Sequence, residues 1–158
     1  MRIIDASSIV HAWDNYPLEN FPTFWDWIAG EFSKKKLIVP KVAFDEVCHV
    51  SPDCSAWLSD RSFVKQDVSS AIAMSAVKIK GFLGIANDKY GTGVDENDII
   101  IISTAKVLGH PLLSNEGRQP ALPKNIKNYK MPAVCAMSGV GVQCLNVAEY
   151  IRQSKKVF

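Results

Sequence analysis

A chain of 158 residues, 47% of them hydrophobic, is long enough to bury one sizeable core and short for two domains of the usual roughly 100–200 residues, so a single domain over residues 1–158 is expected. Charged residues make up 22% and the formal net charge is +2, a balance that neither demands a polyanionic partner nor excludes one. Cys48, Cys54, Cys135 and Cys144 form no CxxC pair and have no histidines at zinc-finger spacing, which argues against structural zinc. The opening Met1-Arg2-Ile3-Ile4-Asp5 is too short an apolar run for a signal peptide, and no later segment reaches the roughly 18 apolar residues of a membrane span. No membrane association and a cytoplasmic location with reduced thiols are expected.

In chain order, Arg2 to Ile4 reads as a strand that stops at Asp5, and Ala6-Ser7-Ser8 starts a helix carrying Ile9, Val10 and Trp13. A second helix is predicted after Pro22, with Phe24, Trp25, Trp27, Ile28 and Phe32 as its apolar positions and the Lys34-Lys35-Lys36 run as its end. Leu37-Ile38-Val39 is a second buried strand, closed by Pro40. Val42, Phe44 and Val47 suit a helix with Asp45 and Glu46 in its first turns, and a short helix around Ser55 to Leu58 points Trp57 inward. Val68, Ile72, Ala76, Ile79, Phe82 and Leu83 predict the longest helix between Val68 and Ile85. Asn87 to Gly93 reads as a loop.

Four successive isoleucines at 99–102 suit a strand by propensity, but the acids Asp95-Glu96-Asn97-Asp98 ahead of them and Gly109 behind mark a helix, and a helix is predicted. Leu112-Leu113-Ser114 is another short strand, ending at Asn115-Glu116-Gly117. Val142 to Arg152 is read as one closing helix. Strands separated by helices imply a three-layer α/β/α fold with a mostly parallel sheet, whose sites form beyond the carboxyl ends of the strands.

That topology would bring together four scattered acids. Asp5 ends the first strand, Glu116 follows the strand near 112–114, Glu46 lies one turn into the helix after the second strand, and Asp98 starts a helix. An all-oxygen donor set suits a hard cation, Mg²⁺ or Mn²⁺, and such an ion serves phosphodiester hydrolysis. Taken singly, Asp95, Asp98 and Glu46 also fit as helix caps and Glu116 as a turn residue. Asp5, set directly after a buried strand, needs a partner or a cation.

Ile3-Ile4-Asp5-Ala6-Ser7-Ser8-Ile9-Val10, Phe44-Asp45-Glu46-Val47, Asp98 with Ile101-Ile102-Ser103-Thr104-Ala105, and Leu112-Leu113-Ser114-Asn115-Glu116 resemble the four successive motifs of PIN-domain nucleases. Phe21-Pro22-Thr23-Phe24-Trp25-Asp26-Trp27 and Met131-Pro132-Ala133-Val134-Cys135 are similar to a bacterial and archaeal group related to VapC-type toxins. The resemblance implies a PIN-like fold, Mg²⁺- or Mn²⁺-dependent cleavage of single-stranded RNA, and neutralisation by a protein antitoxin. By position it makes Asp5, Glu46, Asp98 and Glu116 the catalytic metal-binding acids, with Asp95 as a further candidate and Ser7 and Ser114 as polar groups behind them. Ser7 stands where this group often has Asn, Ser114 where Thr is usual, and Glu116 where many PIN domains use Asp.

Basic residues gather at Lys34–Lys36, at Lys124, Lys127 and Lys130, and at Arg152, Lys155 and Lys156, and Arg118 is the candidate contact for a substrate phosphate. Trp25 is expected in the core or at a partner interface, and any exposed part of the Trp25/Trp27 region would give an antitoxin its groove. Two other readings stay open: a catalytically inactive PIN-like binding module or scaffold, and cleavage of DNA or flaps, for which the chain has no room for additional arch elements. Whether the protein is a homodimer stays open too.

Overall fold

A computed structural model describes residues 1–158. In order it contains β1 (Arg2–Ile4), α1 (Ala6–Asn15), α2 (Pro22–Ser33), β2 (Leu37–Pro40), α3 (Lys41–Val50), α4 (Pro52–Ser59), β3 (Val64–Gln66), α5 (Ser70–Phe82), α6 (Glu96–Leu108), β4 (Leu112–Leu113), α7 (Met131–Cys135), β5 (Cys144–Leu145) and α8 (Val147–Ser154). The five strands make one sheet in the order β3-β2-β1-β4-β5, and every pairing is parallel. Parallel neighbours need long crossovers, and helices supply them here. The three-layer α/β/α architecture predicted from the sequence is the one observed.

Burial explains the order. Ile3, Leu37, Val39, Leu112 and Leu113 are at most 1% exposed, so the three central strands are covered on both faces. Ile4, Leu37 and Leu113 meet α1, α2 and α8 around one apolar region, while α6 packs against β1, α3, α5 and α7. The isoleucine run folds as a helix because its ends are capped. Asp95 and Asp98 form a reciprocal capping box, and Gly109 closes the C-terminus at φ +68°, a conformation that favours glycine. Ile99, Ile101 and Ile102 are fully buried.

Two readings need correction. Val142 to Arg152 is not one helix: β5 occupies Cys144–Leu145, and α8 starts only at Val147 behind an Asn146–Glu149 capping box. The Val68–Ile85 helix is shorter, Ser70–Phe82, and equals α6 in length; Val68 and Phe82 are exposed. Strand β3 and helix α7 were not foreseen.

The loop before α6 is held by close backbone contact. Val94 N donates to Tyr129 O at 3.0 Å, and a Cβ on Gly93 would stand 2.1 Å from that same oxygen. Gly93→Ala must therefore push this loop off the 125–130 segment, and a loss of roughly 2–4 kcal/mol is expected in urea unfolding.

Candidate active site

The chain leaves β1 in two directions across the sheet, to β2 and β3 on one side and to β4 and β5 on the other. The carboxyl ends of β1 and β4 thus flank the crevice at which doubly wound sheets bind ligands. Asp5 follows β1 directly, and Ser114, Asn115 and Glu116 follow β4.

Asp5 is 2% exposed, which pushes its carboxyl pKa up through burial, against hydrogen bonds that pull it down. Its backbone N–H is tied to Leu113 O at 2.9 Å, and its side chain caps α1 by accepting from Ser7 N at 3.3 Å. The Ser7 hydroxyl donates to Asp5 Oδ2 and accepts from Asn115 N at 3.0 Å. Ser114 Oγ donates to the same Oδ2 at 3.2 Å and accepts from Glu116 N at 3.2 Å. Each serine thus gives its one proton to the carboxylate and uses its lone pairs to fix the chain that carries Glu116. The hydrogen bonds all fall on Oδ2, leaving Oδ1 for another partner.

Asn115 joins the two sides, since its Oδ1 accepts from Ser8 Oγ at 3.1 Å and from Val147 N at 3.0 Å. Glu116 Oε2 accepts from Met131 N, the first residue of α7, at 3.2 Å. Asp95 and Asp98 each accept the other's backbone N–H at 2.9 Å, so both are true helix caps; Asp98 is half-buried while Asp95 is exposed. Glu46 stands on α3 and is the most open of the four principal acids.

The acids act on one another through their charges. Burial raises the pKa of Glu46, Asp98 and Glu116, in Asp98 to about 8. Secondary to burial, the charges of Asp5 and Asp95 raise all three, and Glu116 raises Glu46 and Asp98. Lys130 acts in the opposite sense on Glu116. Asp5, Asp95 and Glu116 thus stand near enough to Glu46 and Asp98 for their charges to be felt there.

As the side chains stand, no three carboxylate, imidazole or thiol groups converge closely enough to grip a metal ion. The oxygen-only donors and the unbonded Oδ1 of buried Asp5 nonetheless fit a hard divalent cation.

Beside the acids lies an open groove of about 320 Å³, bordered by Ser7, His11, Asn15, Glu46 and Asn115. Sequence reading missed His11 and Asn15, although His11 falls four residues after Ser7 and so on the same helix face. Arg118 does not stand free: it makes a 2.6 Å ion pair with Glu149. Nor do the tryptophans form an open groove. Trp25 is 3% exposed, and Trp27 stacks on Tyr150 with ring centroids 5.3 Å apart. Large exposed apolar side chains lie instead on α5, at Met74, Val77 and Phe82. No helix is long and apolar enough to cross a membrane.

Among solved structures, the chain is similar to DNA-bound VapBC from Salmonella typhimurium, with a TM-score of 0.56 and 13% identity over 92% of this chain and 96% of that one. It is also similar to VapBC2 from Rickettsia felis bound to a fragment of its promoter DNA, with a TM-score of 0.52 and 13% identity over 92% and 97%. No curated protein matches the sequence. At such identities the likeness speaks for the fold, and that fold is PIN-like. The family model described as "Domain of unknown function (DUF4411)" matches residues 3–158, and the chain belongs to that family.

Proposed function

We propose that the protein is a metal-dependent endoribonuclease that cleaves single-stranded RNA, acting as the toxin of a toxin–antitoxin pair. What supports this reading is the placement of Asp5 and Glu116 just after the adjacent strands β1 and β4, with Glu46 and Asp98 near enough to feel their charge. Carboxylates held this way against their own repulsion call for a cation. Mg²⁺ or Mn²⁺, when bound there, supplies positive charge for phosphate oxygens and acidifies water.

The chain's own part is positioning. Ser7 and Ser114 hold Asp5 Oδ2, which leaves Oδ1 without a side-chain partner. The Met131 N–H holds one oxygen of Glu116 and leaves the other free. Asp98 keeps its place through the capping box at the start of α6, an element rigid enough to fix the carboxylate. The groove along Ser7, His11 and Asn15 provides a path for an unpaired strand, and the charge of Lys130 acts on Glu116. Hydrolysis in this arrangement leaves a 5′-phosphate and a 3′-hydroxyl. The toxin role is supported by the likeness in fold to the VapBC proteins.

Purified protein incubated with a mixed single-stranded RNA pool is expected to cleave with Mn²⁺ or Mg²⁺, to stop with EDTA, and to lose at least about a hundredfold in rate on Asp98→Asn. A 2′,3′-cyclic product would overturn the mechanism. Absence of cleavage from folded protein free of bound inhibitor would favour a PIN-like binding module instead.

A further inference from the structure

Two of the basic runs in the sequence meet at one pocket, on the edge of the sheet opposite the acidic crevice. Arg2 opens β1 and Lys36 directly precedes β2, and because these strands are parallel both residues stand at amino-terminal ends. Together with Glu31, Tyr150, Gln153 and Lys156 they border an open pocket of about 350 Å³. In each run a lysine just past a helix takes the left-handed conformation, Lys35 at φ +58° after α2 and Lys155 at φ +55° after α8, and the lysine that follows borders the pocket. Helix dipoles favour cations at both of these places. They do not account for Arg2, which belongs to a strand.

The charges here do not cancel. Glu31, 7% exposed, accepts from Lys36 Nζ at 3.1 Å and from the Tyr150 hydroxyl at 2.5 Å, so Glu31 and Lys36 neutralise each other. Arg2 and Lys156 enter no ion pair. Arg2 is held in place all the same: its guanidinium lies over the Tyr150 ring, 4.8 Å from the centroid, and Nη2 donates to Gln153 Oε1 at 3.1 Å. That is one acceptor for a group with five N–H donors, and Nε is buried with no partner. A buried donor left unpaired costs roughly 1–3 kcal/mol, and more in a charged group, which an acceptor from outside the chain would offset.

We propose that this pocket binds a phosphate group, brought by inorganic phosphate or by a small phosphate monoester, with Arg2 and Lys156 as its cationic contacts. Two unmatched positive charges suit a group that carries about −1.5 to −2 near pH 7. The guanidinium fork matches phosphate oxygens in pairs, and Lys156 adds a compact point charge. The pocket lies within the size range of small-molecule sites, roughly 300–1,000 Å³, so there is space beside the phosphate for an organic group. Arg2 and Asp5 stand at the two ends of β1, about 10 Å apart along the strand, so this site and the crevice are distinct.

The test is isothermal titration calorimetry on the full chain in EDTA, at about pH 7.5 and about 150 mM sodium chloride, with inorganic phosphate and with adenosine 5′-monophosphate as probes. Without metal the acidic crevice repels both. Saturable one-to-one binding in the millimolar range or tighter is expected, weakened at least about tenfold by Arg2→Gln and about fivefold by Lys156→Gln. Lys156 is exposed and outside every helix and strand, so its substitution tests the site without disturbing the fold. Lys34→Gln and Lys124→Gln remove exposed lysines that do not border the pocket and are expected to change the affinity less than about twofold. The monophosphate binding no tighter than phosphate would identify phosphate itself as sufficient; binding at least about tenfold tighter would identify a monoester. Absence of saturable binding by either probe, or equal weakening by all four substitutions as diffuse surface charge would give, would overturn the proposal. RNA cleavage enters none of these readouts.

Discussion

Replacing Asp98 with Asn is expected to stabilise the metal-free protein at about pH 8 by roughly 2–4 kcal/mol, even though it removes a proposed catalytic group. An ordinary aspartate loses its proton near 3.8, while folded Asp98 keeps its own to about 8. Between these values the folded chain binds more protons than the unfolded one. The stability from this group is thus full below the ordinary value and is lost as pH rises through the folded one. Asparagine has no proton to lose, and its amide oxygen can still accept the Asp95 N–H. The full shift would convert to more than the figure given, but the same repulsion is shared with Glu116, Asp95 and Asp5. Urea unfolding in EDTA at about pH 5 and about pH 8 should show wild-type stability falling between the two and that of the variant falling much less. Millimolar Mn²⁺ should restore the wild type at the higher pH and leave the variant little changed. A variant no more stable than wild type at the higher pH would mean that Asp98 bears no such charge cost.

Trp25→Ala is expected to cost roughly 3–5 kcal/mol. The indole packs edge-on against Trp13, Phe24 and Trp57 at centroid distances of 5.2, 5.3 and 4.8 Å, and its N–H donates to Tyr16 O at 2.6 Å. Alanine leaves both a void and an unpaired, partly buried carbonyl. Trp25→Phe keeps most of the volume and should lose roughly half as much or less, with RNA binding intact. A base-stacking Trp25 would show the reverse pattern, with stability kept and RNA binding lost.

Residues that combined burial with strong local chemistry could be read from the sequence. β1 and β2 are continuous apolar runs ended by Asp5 and Pro40, and α6 was decided by the acids ahead of its isoleucines rather than by β-propensity. β3 was not legible because Val64-Lys65-Gln66 is a half-exposed edge strand with no apolar run. β5 was hidden because Val142, Leu145 and Tyr150 mimic helical spacing; Asn146 with Glu149 was the signal that the helix starts later. Within the crevice, the acids and Ser7 and Ser114 were visible as strand-end and helix-start residues. The ion pair of Arg118 with Glu149, 31 positions away, lies beyond any local pattern. Asn115 gains its role from Ser7 and Ser8 across the sheet, and Lys130 from Glu116, 14 positions earlier, which spacing does not reveal.

The central place of β1 also sets a timetable. Its Ile3 and Ile4 pair with Leu112 and Leu113, so one edge of the first strand made has no partner until more than a hundred further residues have been synthesised. A chain emerging from the ribosome N-terminus first holds Asp5 and Glu46 long before Glu116 exists, and carries meanwhile an apolar strand edge open to other chains. Contacts of such separation in sequence make for slow folding. The acidic crevice is consequently a late product of synthesis, completed only when β4 and β5 arrive.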